Sequence, residues 1–98
     1  MYPRFVIIRS SVSGVHFGEQ RADPVMQPNG LRLVTLFGSR RIHYWEGAGS
    51  CSGLAVYGPR SGRVAAPIDG AEIGDVCEIL PCAAAAVEQI GKQPIWNG

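Results

Sequence analysis

The chain has 98 residues, of which 46% are hydrophobic and 17% are charged, and its formal net charge is +1. This length predicts one small domain, spanning residues 1–98, with a single hydrophobic core. The near-neutral charge argues against a duplex-DNA-binding protein, and every apolar run is far shorter than the roughly 18–20 residues that span a bilayer.

Short strands separated by turn residues dominate the first half of the chain. Runs of β-branched and alternating apolar residues predict strands over 4–11, 15–19, 31–37 and 40–45. Two prolines and an Asn-Gly pair predict a loop over 23–30, and Gly38-Ser39 allows a turn or a bulge.

Two short helices and two further strands are predicted in the second half. Ser50 is a suitable N-cap for a helix that ends at Gly58, and the alanine-rich segment 82–90 predicts a second helix with Gly91 as its C-terminal glycine. A loop over 60–63, an edge strand over 64–68 and a strand over 75–80 lie between them, and the final Pro-Ile-Trp is expected to place an aromatic anchor on the core. The sequence therefore predicts an α+β fold with a small, curved, mostly antiparallel sheet or partial barrel of five or six strands.

Motifs for catalysis, cofactors and metals are missing from the sequence. Cys51, Cys77 and Cys82 are odd in number, and four residues separate the last two, unlike the spacing of redox or zinc motifs. His-x-His, His-x-x-x-His, a nucleophile elbow and the standard phosphate loops do not occur. We therefore expect no enzyme activity, no cofactor and no metal. The start of the chain lacks a signal-peptide pattern, which favours a cytosolic protein.

The segment 40–45 is the strongest functional signal, because it holds two guanidinium groups, an imidazole, a phenol and an indole in six residues. Arginine beside flat aromatic rings suits a phosphorylated, base-bearing small molecule. Strand alternation would divide these side chains into two faces: Arg41, His43 and Trp45 on one, and Arg40, Ile42 and Tyr44 on the other. The first set is the sharper candidate for a binding surface.

Each candidate also has an ordinary structural explanation. Trp45 would serve as a core or interface anchor, and Arg41 would form an ion pair with Glu46 or Glu78. His16, which lies between two glycines that permit close approach, would be a packed histidine rather than a ligand contact. Arg63 belongs to a basic segment that would either fold over a phosphate or form a solvated turn.

The sequence also resembles a family of small proteins common in bacteriophages and prophages. The opening 4–10, followed by Ser-Gly-Val-His-Phe-Gly at 13–18, resembles the start of that family. The segment 39–48, Ser-Arg-Arg-Ile-His-Tyr-Trp-Glu-Gly-Ala, is similar to its hallmark, Ala-Arg-Arg-Ile/Leu-Trp-Tyr-Trp-x-Gly-Ala. Segments 50–58, 77–82 and 94–96 fit as well. The departures are the insertion at 23–30 and His43 in place of the first tryptophan.

The resemblance implies that the protein comes from a bacteriophage or prophage, and it implies little about how the protein acts. Some small phage proteins form oligomers that sequester nucleotide immune signals, such as cyclic nucleotides or cyclic ADP-ribose isomers. By this analogy, and because few residues are charged, we expect a homo-oligomer that binds a small nucleotide-like ligand in the cytoplasm of an infected bacterial host, without membrane or duplex nucleic acid as partners. The candidate ligand contacts are Arg41, His43, Tyr44, Trp45, His16, Arg63 and Arg40. The alternatives are an inhibitor of a host defence enzyme and a minor virion or assembly protein.

Overall fold

Residues 1–97, which the computed structural model describes, form seven strands and two helices. In chain order they are β1 (Arg4–Ser10), β2 (Gly14–Gln20), β3 (Val25–Met26), β4 (Arg32–Glu46), α1 (Cys51–Tyr57), β5 (Ser61–Val64), β6 (Ile68–Ile73), β7 (Val76–Pro81) and α2 (Ala84–Lys92). No helix in this part of the chain is long and apolar enough to cross a membrane.

The sheet is organised around β4, which is 15 residues long and has neighbours along both edges. One edge pairs with β2, and the sheet continues through β1 to β7. The opposite edge pairs first with β6 and then with β5, and β3 adds a two-residue pair near the start of β4. All these strand pairs are antiparallel, and within residues 1–97 the sheet curves without closing into a barrel. The predicted α+β class is confirmed.

Apolar side chains on the two faces of the sheet form two separate clusters. The helix-side core lies between the sheet and the two helices and contains Ile7, Phe17, Ile42, Leu54, Ala55, Val64 and Ile90. The second core lies on the other face of the sheet and contains Val6, Ile8, Val34, Leu36, Ile73 and Val76. Successive residues of β1 alternate between the two cores, which explains why this strand is a continuous apolar run.

Several predicted boundaries are wrong, chiefly where strand pairing overrides local turn signals. The segments predicted as strands over 31–37 and 40–45 are one strand, and Gly38, with φ of 60°, lies at a shift in the β2–β4 register. The predicted loop 23–30 contains β3, and the predicted loop 60–63 holds most of β5. The edge strand predicted over 64–68 does not form: Val64 ends β5, residues 65–67 lie outside any strand, and β6 begins at Ile68.

The second helix also differs at its ends. It begins at Ala84 and runs through Gly91, which does not take the positive φ of a C-terminal glycine. Gln93 occupies the C-cap with φ of −64°. Alanine-rich sequence predicts helix correctly here, but it does not mark where the helix begins or ends.

Candidate functional site

A bulge where β4 meets β5 rearranges the predicted faces of β4. Ile42 pairs with Val64, whereas Tyr44 pairs with Arg63, so that His43 is an extra residue on the β4 side of the ladder. Such an insertion interrupts the alternation of side chains along a strand. Residues before and after His43 therefore no longer follow one alternating pattern.

Trp45 is the residue whose predicted position is wrong as a result. It packs against the helix-side core together with Ile42, and its indole Nε1 donates to the carbonyl of Ala48 at 3.0 Å. Tyr44, predicted to share a face with Ile42, is instead 48% exposed. The predicted set of Arg41, His43 and Trp45 on one face is thus replaced by Arg41, His43 and Tyr44.

Four side chains on this exposed face form what we call the ring cluster: His43, Tyr44, Arg63 and Trp96. The ring centroids of His43 and Trp96 are 4.9 Å apart, with the planes tilted by 53°. The Arg63 Cζ atom lies 5.6 Å from the centre of the Trp96 ring and 5.8 Å from that of Tyr44. These distances are within the range of cation–π contacts, so the guanidinium contacts both aromatic rings.

Trp96 was not among the candidate ligand residues and joins them through tertiary structure. Its backbone N–H donates to the carbonyl of Val64 at 3.0 Å, and Ile95 forms a parallel bridge with Val64. The C-terminal segment therefore runs beside β5 and brings Trp96 to Arg63. The sequence signal was the terminal aromatic residue itself, which was predicted to anchor on the core.

A shallow pocket of about 320 Å³ borders the ring cluster. It is lined by His43, Tyr44, Trp45, Ala48 and Gly49. The bond from the Trp45 indole to Ala48 holds the 47–49 loop as one wall. The volume lies at the lower end of the roughly 300–1,000 Å³ typical of small-molecule sites.

Arg41 and His16 lie farther along the same face. They are directly opposite in the β2–β4 register, and Arg41 is exposed whereas His16 is only 8% exposed. His16 Nε2 lies 2.7 Å from Ser13 Oγ. Burial lowers the pKa of His16, and the positive charge of Arg41 lowers it further. His16 is therefore an uncharged imidazole at neutral pH, and Arg41 supplies the charge of this part of the face.

The ion pairs considered for Arg41 do not form within residues 1–97. The carboxylate of Glu46 accepts a hydrogen bond from the hydroxyl of Tyr44 at 2.7 Å and lies 4.0 Å from the guanidinium of Arg60. Glu78 pairs with Arg9 at 3.4 Å. Arg41 has no salt bridge or side-chain hydrogen bond in the described part of the chain, so its guanidinium is available to an anion.

The turn beside His16 is held by Asp75. Its carboxylate accepts hydrogen bonds from the hydroxyls of Ser10 at 2.6 Å and Ser11 at 2.9 Å, and from the backbone N–H of Val12 at 3.0 Å. The two serine hydrogen bonds are the main cause that lowers the pKa of Asp75. A carboxylate with these bonds is an anchor for the β1–β2 turn and not a free base.

Arg40 lies outside the exposed face. It is 6% exposed, and it donates to the carbonyls of Ala65, Ile90, Val64 and Gln93 at 2.8, 2.8, 3.3 and 3.0 Å. Its donors therefore point into the fold, where a ligand on the ring cluster cannot reach them.

The thiols and acidic residues add no metal-binding group. Within residues 1–97, no three side chains of His, Cys, Asp or Glu come together in an arrangement that could hold an ion. All three cysteines are free, and burial raises the pKa of Cys82 to about 12.

Comparison with known proteins identifies the family. Neither the curated proteins nor the solved structures include a match to the chain. A family model described as a domain of unknown function, DUF6948, matches residues 3–90 and so includes every candidate residue except Trp96. This match covers most of the chain, which therefore belongs to the DUF6948 family.

Proposed function

We propose that the protein binds a small phosphorylated molecule of the nucleotide type and does not convert it. The observation that carries this proposal is the ring cluster, in which the Arg63 guanidinium lies over two aromatic rings beside a pocket. A guanidinium suits a phosphate because its planar fork donates two parallel hydrogen bonds. Flat rings suit a base because aromatic stacking is worth about 1–3 kcal/mol per base.

The charges on this face support an anionic ligand. Arg63 contacts rings rather than carboxylates in residues 1–97, and Arg41 likewise makes no ion pair there. Arg41 lies three residues before Tyr44 on β4, which corresponds to about 10 Å along the strand. In the proposed complex Arg63 and Arg41 hold phosphate, Trp96 and Tyr44 stack on the base, and His43 donates to ribose or phosphate.

The shape of the site supports a homo-oligomer. The pocket is open, whereas small-molecule sites usually bury about 70–90% of the surface of their ligand. Ile95, which is 53% exposed, adds apolar surface directly beside Trp96. We propose that a second copy of the chain covers this surface and completes the site.

The proposed biological setting is the infected bacterial cytoplasm, where the protein would sequester a nucleotide immune signal. This part of the proposal is supported by the resemblance of segment 39–48 to phage proteins and by the nucleotide-type chemistry of the ring cluster. A binding protein fits this role because sequestration needs affinity and no chemical step.

Ligand capture tests the proposal directly. The purified protein is heated, released small molecules are identified by mass spectrometry, and affinities are measured by calorimetry for cyclic di- and trinucleotides, ADP, ADP-ribose and cyclic ADP-ribose. Arg63→Gln removes one charge-assisted contact, so we expect affinity to fall by about 10- to 100-fold. Trp96→Ala should weaken binding by a similar factor through lost stacking.

Arg32→Gln is the matched control. It makes the same change of charge at the opposite end of β4, where Arg32 donates only a long bond of 3.4 Å to the carbonyl of Cys77. Its affinity should equal that of the unaltered protein. The absence of any released or bound nucleotide would contradict the proposal. Equal losses in Arg63→Gln and Arg32→Gln would show that the ring cluster is not the site.

A further inference from the structure

Arg40 is the one buried residue among the Arg, Lys, Asp and Glu of residues 1–97. Burying a charge without a partner is costly, yet no side-chain carboxylate of residues 1–97 forms a salt bridge with it, and its acceptors are four backbone carbonyls. Two of these, Ile90 and Gln93, lie at the C-terminal end of α2, where the helix dipole is negative. Arg40 thus caps α2 from a neighbouring strand.

The carbonyls that Arg40 binds lead directly into the ring cluster. Val64 follows Arg63, and Gln93 precedes Trp96 by three residues. The Val64 carbonyl accepts two hydrogen bonds, one from the Arg40 guanidinium at 3.3 Å and one from the backbone N–H of Trp96 at 3.0 Å. Arg40 therefore fastens the end of β5 and the C-terminal segment 93–97 to the same point of β4.

We propose that Arg40 is a positioning residue for the ring cluster. It touches no ligand, and it holds the segment 93–97 against β5 so that Trp96 stays in contact with His43 and Arg63. Its planar fork donates to four carbonyls in two segments, whereas a lysine ammonium carries only three N–H donors on one nitrogen atom. The effect on ligand affinity rests on the proposed function, but the effect on Trp96 does not.

The first test follows Trp96 without any ligand. The chain has two tryptophans, so Trp45→Phe leaves Trp96 as the sole reporter. In this background, Arg40→Lys should shift the Trp96 emission to the red and increase its acrylamide quenching about twofold or more, as expected for a released segment. Far-UV circular dichroism below the unfolding transition should stay unchanged, because the sheet and helices remain. A loss of overall stability alone would not alter Trp96 under these conditions.

The second test is a double-mutant cycle on affinity, with ADP as the probe because it carries a base and phosphate. If Arg40 acts through Trp96, Arg40→Lys should weaken ADP binding about fivefold or more in the chain with Trp96, and less than about twofold after Trp96→Ala. Additive losses would overturn the proposal.

The two tests separate the proposals from each other. Unchanged Trp96 emission and quenching in Arg40→Lys would overturn the positioning role even if ADP binds. Released Trp96 without ADP binding would support the positioning role and count against the proposed function. If Arg40→Lys and Arg40→Met both fail to fold, Arg40 supports the whole core, and its assignment to the segment 93–97 is overturned.

Discussion

Gly62 lies at the closest approach between β5 and β4, so Gly62→Ala should be destabilising. Gly62 pairs with Trp45 in the ladder, and a Cβ atom there would overlap the carbonyl oxygen of Tyr44 and lie 3.0 Å from Trp45 Cα. Both obstacles are backbone atoms, which cannot rotate away, so β5 must move off β4. Overpacking of this kind costs about 1–3 kcal/mol, and the lower chain entropy of alanine offsets about 0.5–1 kcal/mol of it. We expect a net loss of about 1–2 kcal/mol in the free energy of unfolding.

Gly70→Ala is the matched control, because Gly70 is also a strand glycine paired with β4. Its nearest neighbour to a new Cβ is the Leu36 carbonyl oxygen at 3.8 Å, an ordinary contact. This variant should gain about 0.5–1 kcal/mol from reduced chain entropy. The two variants should then differ by about 2 kcal/mol, which for an m-value of about 1 kcal/mol/M separates their urea midpoints by about 2 M.

Equilibrium urea unfolding, followed by far-UV circular dichroism, measures this difference. Gly62→Ala should also weaken the proposed binding of a nucleotide, because Arg63 moves with β5, whereas Gly70→Ala should not. Urea midpoints that agree within about 0.5 M would refute the close approach of β5 to β4 and, with it, the position of Arg63 over the rings.

Three further predictions concern single residues. Burial lowers the pKa of His16, so the folded protein favours the neutral imidazole: stability is complete above about pH 6.5 and falls as the pH drops through the lowered pKa. The urea midpoint should decrease between about pH 7 and pH 5, and His16→Gln should reduce this decrease. An equal decrease of the urea midpoint in His16→Gln and in the unaltered protein would contradict the assignment to His16. Iodoacetamide should label the exposed Cys77 in the folded protein, whereas Cys82, whose pKa burial raises to about 12, should react only on unfolding. Peptide mass spectrometry shows the order of labelling, and faster labelling of Cys82 than of Cys77 would argue against the burial of Cys82. Gly91→Ala should raise the free energy of unfolding by about 0.5–1 kcal/mol, because Gly91 lies inside α2 and a Cβ atom there would meet no other atom within 4 Å. An unchanged free energy of unfolding would indicate that α2 ends before Gly91.

The elements that could be predicted are those whose evidence is local. The apolar run of β1 and the alternation at the start of β4 reflect side-chain contacts every second residue, and the alanine-rich segment reflects intrinsic helix propensity. The strands that were missed are β3, β5 and most of β6, which lie in segments with proline, glycine or polar residues, where pairing with β4 supplies the stabilisation. Local composition does not report that pairing.

For the candidate site, the amino-acid sequence by itself determined the chemistry: guanidinium groups and aromatic rings concentrated near the middle of the chain. Only the tertiary structure decided which of them share a surface, because a bulge opposite Val64 turned Trp45 inward and Tyr44 outward. It also decided that Arg40 is internal, since its acceptors lie 24 to 53 residues away along the chain. Side-chain direction along a strand depends on the partner strand as well as on local alternation, and the partner is brought in by the fold.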